Sequence, residues 1–222
     1  MIPAMNFEKA RLNMIEQQVR AWDVLDERVL AALAEVSRED FVPPLYRKLA
    51  FADMAIPLGH GQCMMPPREE GRLLQELAIK PTDNILEIGT GSGHLTALLA
   101  LLGGSVTSLD INADFSASAG ERIKELGITH IKFMVEDAVR YCTNTTTNFD
   151  VICIAVSVPQ KPQLFLDHLA VGGRLFAIVG QAPAMRATLF TRAAAGEFQE
   201  QGLYETVAPE LLTLSTSPSF EF

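Results

Sequence analysis

The stretch Leu86-Glu87-Ile88-Gly89-Thr90-Gly91-Ser92-Gly93-His94 constrains this chain more than any other. An apolar run enters three glycines at alternate positions and leaves as a helical pattern from Leu95 to Leu102. Glycine accepts backbone angles that side chains resist, and it lets a ligand approach the main chain closely. A parallel sheet places its ligand crevice at such a strand-to-helix turn. The plain alternative is a tight turn with no ligand.

The chain downstream agrees with a sheet wound on both sides. Strand-like runs occupy 84–88, 105–109, 131–135, 151–156 and 174–179. Val151 to Val156 is continuously apolar, as expected of a strand buried on both faces. Helical patterns over 95–102, 113–126 and near 163–169 alternate with these runs. Two final runs, near 187–191 and 198–206, lack a helix between them and read as an antiparallel hairpin at the sheet edge. The expected fold is α/β: a doubly wound, mostly parallel, seven-stranded Rossmann-like sheet with a C-terminal antiparallel hairpin.

Residues 6–79 read as an N-terminal helical region with a loop inside it. Asn6 caps a helix bearing Phe7, Leu12, Ile15 and Val19 at helical spacing. Asp26 caps a second with Val29, Leu30, Leu33 and Val36 on one face. Ser37 opens a short turn that Pro43-Pro44 ends. Residues 51–67, with Pro57, Gly59, Gly61, Pro66 and Pro67, read as an irregular loop, and 69–79 as a helix. The expected division is 1–80 packed on the main domain, 81–214 as the nucleotide-binding domain, and 215–222 as a loose tail.

Composition narrows the partners. With 18 basic and 27 acidic residues the formal charge is −9, against a basic face for nucleic acid or an anionic membrane. The run Leu95–Leu102 is far short of the roughly 20 residues of a membrane span. Glu8 and Lys9 follow Phe7 at once, so Met1–Phe7 is no signal-peptide core. Cys63, Cys142 and Cys153 form no CxxC pair and no metal spacing, so no metal and a reduced, cytoplasmic compartment are expected.

The ligand is read from the glycine spacing. A dinucleotide fingerprint, G-x-G-x-x-G, needs glycine at 94, where this chain has His94, so a dehydrogenase fits poorly. The spacing Gly89, Gly91, Gly93, preceded by Glu87, resembles motif I of the class I S-adenosylmethionine (SAM) methyltransferases. Asp110 ends the second strand, where a carboxylate accepts both ribose hydroxyls; the competing account is a strand-end or helix-capping aspartate. The resemblance places Asp137-Ala138 beside the adenine amino group. Ala170-Val171-Gly172-Gly173-Arg174-Leu175 is similar to the family's L-x-P-G-G-x-L turn, with Val171 for proline.

A narrower likeness lies upstream. Phe41-Val42-Pro43, Ala50-Phe51-Ala52-Asp53 and Ile56-Pro57-Leu58-Gly59-His60-Gly61-Gln62 follow the order and spacing of the protein-L-isoaspartate O-methyltransferases. The resemblance spans roughly residues 10–207. It implies SAM as cofactor, S-adenosylhomocysteine (SAH) as product, and methyl transfer to an isoaspartyl carboxylate of a peptide or protein. It implies cofactor contacts from Gln62, Cys63 and Met64, from Glu87, Gly89, Thr90, Gly91 and Gly93, and from Asp110, Ile111, Asp137 and Ala138.

The family's loop continues Thr-Ile-Ser-x-Pro, whereas this chain reads Cys63-Met64-Met65-Pro66-Pro67. The serine regarded as the family's active-site residue is Met65 here, a weak acceptor and no donor. Fold and cofactor carry over from the resemblance; repair activity does not. A different acceptor, small-molecule or another protein, and a SAM-binding protein without catalysis stand as alternatives. No catalytic residue is assigned. His60 either contacts a substrate carboxylate, acts as a base, or packs within the loop. Ser157, after the fourth strand, either faces substrate or caps a turn.

Overall fold

The computed structural model describes residues 6–214, so the tail expected at 215–222 lies outside the described residues. Asn6 Oδ1 accepts from Lys9 N at 2.9 Å and opens helix α1, Phe7–Met14. Asp26 Oδ1 accepts from Arg28 N at 2.8 Å and opens α2, Glu27–Glu35. Each side chain satisfies a backbone donor that a helix start leaves unpaired. The short α3, Arg38–Phe41, precedes Pro43, and α4, Pro67–Leu77, follows the loop.

That loop is more regular than its composition implies. Strands β1, Ile56–Gly59, and β2, Gln62–Met64, form an antiparallel hairpin that pairs Ile56 with Met64. The turn runs through Gly59, His60 and Gly61, all at positive φ (95°, 52° and 72°). Both ends of the pairing, Ile56 and Met64, are buried. Burial of the ends supplies what two short strands lack alone.

The main sheet has seven strands: β3 Asn84–Ile88, β4 Ser105–Asp110, β5 Ile131–Val135, β6 Phe149–Val158, β7 Leu169–Gln181, β8 Ala184–Ala194 and β9 Glu197–Thr206. Their order is β5-β4-β3-β6-β7-β8-β9. All pairings from β5 to β7 are parallel, and β8 and β9 add antiparallel. The chain enters at β3, steps outward to β5, then returns to the other side of β3. That reversal opens a crevice beyond the carboxyl ends of β3 and β6.

Helices α5 His94–Leu102, α6 Ala113–Glu125, α7 Ala138–Asn144 and α8 Gln163–Leu166 link the strands. Sequence periodicity gave no sign of α7. The helix expected near 163–169 stops at Leu166, because Leu169 already pairs with Phe149. No helix among the described residues is long and apolar enough to cross a membrane.

The helical region and the sheet share one apolar core, running from Met14 and Leu33 through Leu73 and Leu98 to Phe176 and Leu189. Arg174 on β7 crosses between them. Its guanidinium donates to Leu77 O (2.8 Å), Ala78 O (2.9 Å) and Asp83 Oδ2 (2.6 Å), covering the carbonyls where α4 ends.

Candidate active site

Beyond β3 the chain turns through Gly89, Gly91 and Gly93, at φ 97°, 50° and 86°. At Gly93 a Cβ would lie 2.6 Å from Ala119 Cβ on α6, so conformation and packing both require glycine. At Gly91 a Cβ would lie 3.2 Å from Leu58 Cδ1, which shows how closely the β1–β2 hairpin covers the turn. Gly89 N donates to Leu109 O at 2.9 Å, and Gly91 N donates to Asp110 Oδ2 at 3.0 Å. The turn is thereby tied to the end of β4.

A cavity of about 470 Å³ stands over this turn. Its size falls within the range usual for small-molecule sites, roughly 300–1,000 Å³. Gly89, Thr90 and Gly91 form one side, with Asp110 and Ile111 following β4. Glu136, Asp137 and Ala138 follow β5. Asp137 Oδ1 caps α7 by accepting from Arg140 N at 2.7 Å, while Asp137 Oδ2 is buried without a hydrogen-bond partner among the described residues. The hairpin covers the cavity with Leu58, His60, Gln62, Cys63, Met64 and Met65. Burial, with Glu69 nearby, raises the Cys63 pKa, so its thiol stays protonated.

Two of the motif residues expected at the cofactor, Gly93 and Glu87, do not line the cavity. Gly93 is spent on packing against α6. Glu87 lies beneath the turn, fully buried, accepting from Thr96 Oγ1 and Ser108 Oγ at 2.6 Å each. Burial pushes its pKa up to about 8 although both hydroxyls oppose that shift. Thr90 Oγ1 and Ser108 Oγ lie 2.6 Å apart, so Glu87 supports the turn through a chain of hydroxyls.

Ser157 does not face the cavity either. It is fully buried, and its Oγ donates toward Ala208 O and Pro209 O at 3.3 Å. Its backbone accepts from Leu211 N and donates to Pro209 O, both at 2.8 Å. Ser157 thus anchors the segment after β9, and residues 210–213 of that segment line the cavity. His60 sits at the hairpin tip, edge-on to Phe115 with centroids 5.5 Å apart, and lines the cavity.

Glu70 on α4 also belongs to the wall and was not anticipated. The available signal is the pair Glu69-Glu70 in the first turn of a helix whose other inward residues, Pro67, Gly71, Leu73, Leu74 and Leu77, carry no charge.

A seven-stranded α/β sheet with a covered cavity over a glycine turn defines a Rossmann-like methyltransferase fold. The family model described as protein-L-isoaspartate(D-aspartate) O-methyltransferase (PCMT) matches residues 9–208, and the chain belongs to this family. A protein-L-isoaspartate O-methyltransferase of Koribacter versatilis is 36% identical over 197 residues, 89% of this chain and 88% of the relative. One from Methanoculleus marisnigri is 37% identical over 172 residues, 78% of each chain. A Plasmodium falciparum structure assigned to the same enzyme class, solved with S-adenosyl-L-homocysteine, superimposes with TM-score 0.79 at 19% identity. It covers 94% of this chain and 99% of that one.

Proposed function

We propose that this chain is a SAM-dependent O-methyltransferase acting on a carboxylate of the isoaspartyl type, with the acceptor side altered at Met65. The observation that carries the cofactor assignment is Asp137 Oδ2, buried and unpartnered among the described residues, in the same wall as Asp110. A buried acceptor without a donor costs roughly 1–3 kcal/mol, and an adenine amino group is a donor of the right kind. Asp110 in turn offers its remaining lone pairs to ribose hydroxyls, beside the half-buried backbone of Gly89 and Gly91.

SAM supplies a methyl group already carried on a good leaving group. The chain's own residues then have to hold, orient and exclude water, because an ionised carboxylate needs no base. The hairpin from Leu58 to Met65 and residues 210–213 do the covering. Met65 lines the acceptor side, where the family's serine would offer a hydroxyl, so the loop presents apolar, adaptable surface instead.

The methyl acceptor is therefore the open half of the function. Met64 and Met65 favour the second reading, an acceptor with an apolar body, over an unmodified repair enzyme. Two measurements separate these readings: calorimetry of SAH binding, and transfer from labelled SAM to an isoaspartyl peptide and to a cell extract. Absent SAH binding would overturn the cofactor assignment. Binding with no transfer to the peptide but transfer to another component of the extract would overturn the isoaspartyl acceptor alone.

A further inference from the structure

Arg38 leaves α3 with its side chain 1% exposed and ties three segments together. Its Nε donates to Ala50 O at 2.9 Å, its Nη2 to Met65 O at 2.6 Å, and its Nη1 to Glu70 Oε2. His94, the first residue of α5, places Nδ1 3.0 Å from the same Glu70 oxygen. Assigned from that partner, the Nδ1 proton is donated to Glu70, and the buried Nε2 has no partner among the described residues.

Both hydrogen bonds to the Glu70 carboxylate end on Oε2; Oε1 accepts none from the described residues. Yet Glu70 is 2% exposed and forms part of the cavity wall. Burial pushes its pKa up, but Arg38 and His94 outweigh burial and hold the carboxyl below its ordinary value. The wall therefore presents an anion with one oxygen that no described residue binds.

We infer that Glu70 binds the α-ammonium of the cofactor's amino-acid end through Oε1. The inference rests on the SAM reading above. Order along the sheet sets the direction: Asp137 follows β5, Asp110 follows β4, and the glycine turn follows β3. With the base and ribose assigned to the two aspartates, the amino-acid end extends past β3 to the side where Glu70 meets His94. A sulfonium has no hydrogen-bond donor, whereas an ammonium has three. Arg38 is then a positioning residue, holding both the carboxylate and the Met65 carbonyl beside it.

The test is calorimetry on the full chain with SAH and with 5′-methylthioadenosine, which keeps the base and ribose but lacks the amino-acid end. Glu70→Gln should weaken SAH about ten- to a hundredfold, the scale of a charged hydrogen bond, and leave methylthioadenosine unchanged. Unchanged SAH affinity, or equal weakening of both ligands, overturns the inference. Glu70→Gln leaves Arg38 buried without its counter-charge, which destabilises. If that variant fails to fold, Arg38→Met with Glu70→Leu removes both charges and must show the same split between ligands. A wild type that binds neither ligand refutes the SAM reading, and this inference with it. One that binds methylthioadenosine as tightly as SAH refutes only the role of Glu70.

Discussion

Asp110 Oδ2 accepts the backbone N–H of Gly91 at 3.0 Å, so the side chain that ends β4 holds the turn that follows β3. Its other oxygen accepts Asn112 N at 2.8 Å. Both oxygens retain lone pairs toward the cavity. Asp110→Ala should lose the ligand contact and loosen the turn together, weakening SAH binding by roughly 1.5–3 kcal/mol. Calorimetry showing undiminished affinity would remove Asp110 from the site.

Gly93→Ala addresses stability before binding. The added methyl would stand 2.6 Å from Ala119 Cβ and 3.1 Å from Ala119 Cα, at a φ of 86°. Overpacking and a left-handed conformation together should cost roughly 2–5 kcal/mol. A thermal or denaturant midpoint equal to wild type would show that α6 shifts freely.

Met65→Ser tests the acceptor side without disturbing its frame, since Arg38 grips the carbonyl of residue 65 and not its side chain. If a hydroxyl is what an isoaspartyl acceptor requires, the variant should gain rate toward such a peptide. The scale is that of one oriented donor, about a hundred- to a thousandfold. A wild-type rate already equal to the variant's would show the hydroxyl dispensable.

Glu87 sets a pH dependence of stability. Its pKa rises from 4.5 to about 8 in the folded chain, so folding favours the protonated form. That contribution is complete below pH 4.5 and is lost as pH rises to 8, by up to about 1.4 kcal/mol per pH unit. Glu87→Gln should flatten the decline across that window. Parallel stability profiles for the two proteins in denaturant would contradict it.

The glycine turn was legible because its spacing serves a backbone need, and the parallel strands because burial on both faces leaves an unbroken apolar run. Helix α7 escaped because it is one of the shorter helices and carries Thr143 and Asn144, although Asp137 ahead of it was a usable capping signal. The β1–β2 hairpin escaped because prolines and glycines mask a pairing that only burial of Ile56 and Met64 reveals. Ser157 stays open between two roles in the sequence because its partners, Ala208 and Pro209, lie more than fifty positions away. The resemblance implies a cofactor contact from Glu87, whereas Ser108 and Thr96 draw it beneath the turn. Arg38 and Glu70 stand 32 positions apart, and nothing local announces that two charges will meet inside.

Arg174 has a consequence for how the molecule comes apart. Because its guanidinium binds Leu77 O, Ala78 O and Asp83 at once, the end of α4 and the strand β7 cannot separate without breaking all three bonds. The apolar core crosses the same boundary. The cover and the sheet should therefore melt in a single cooperative transition. A chain shortened to begin at residue 81 should be an aggregating fragment rather than a smaller nucleotide-binding module.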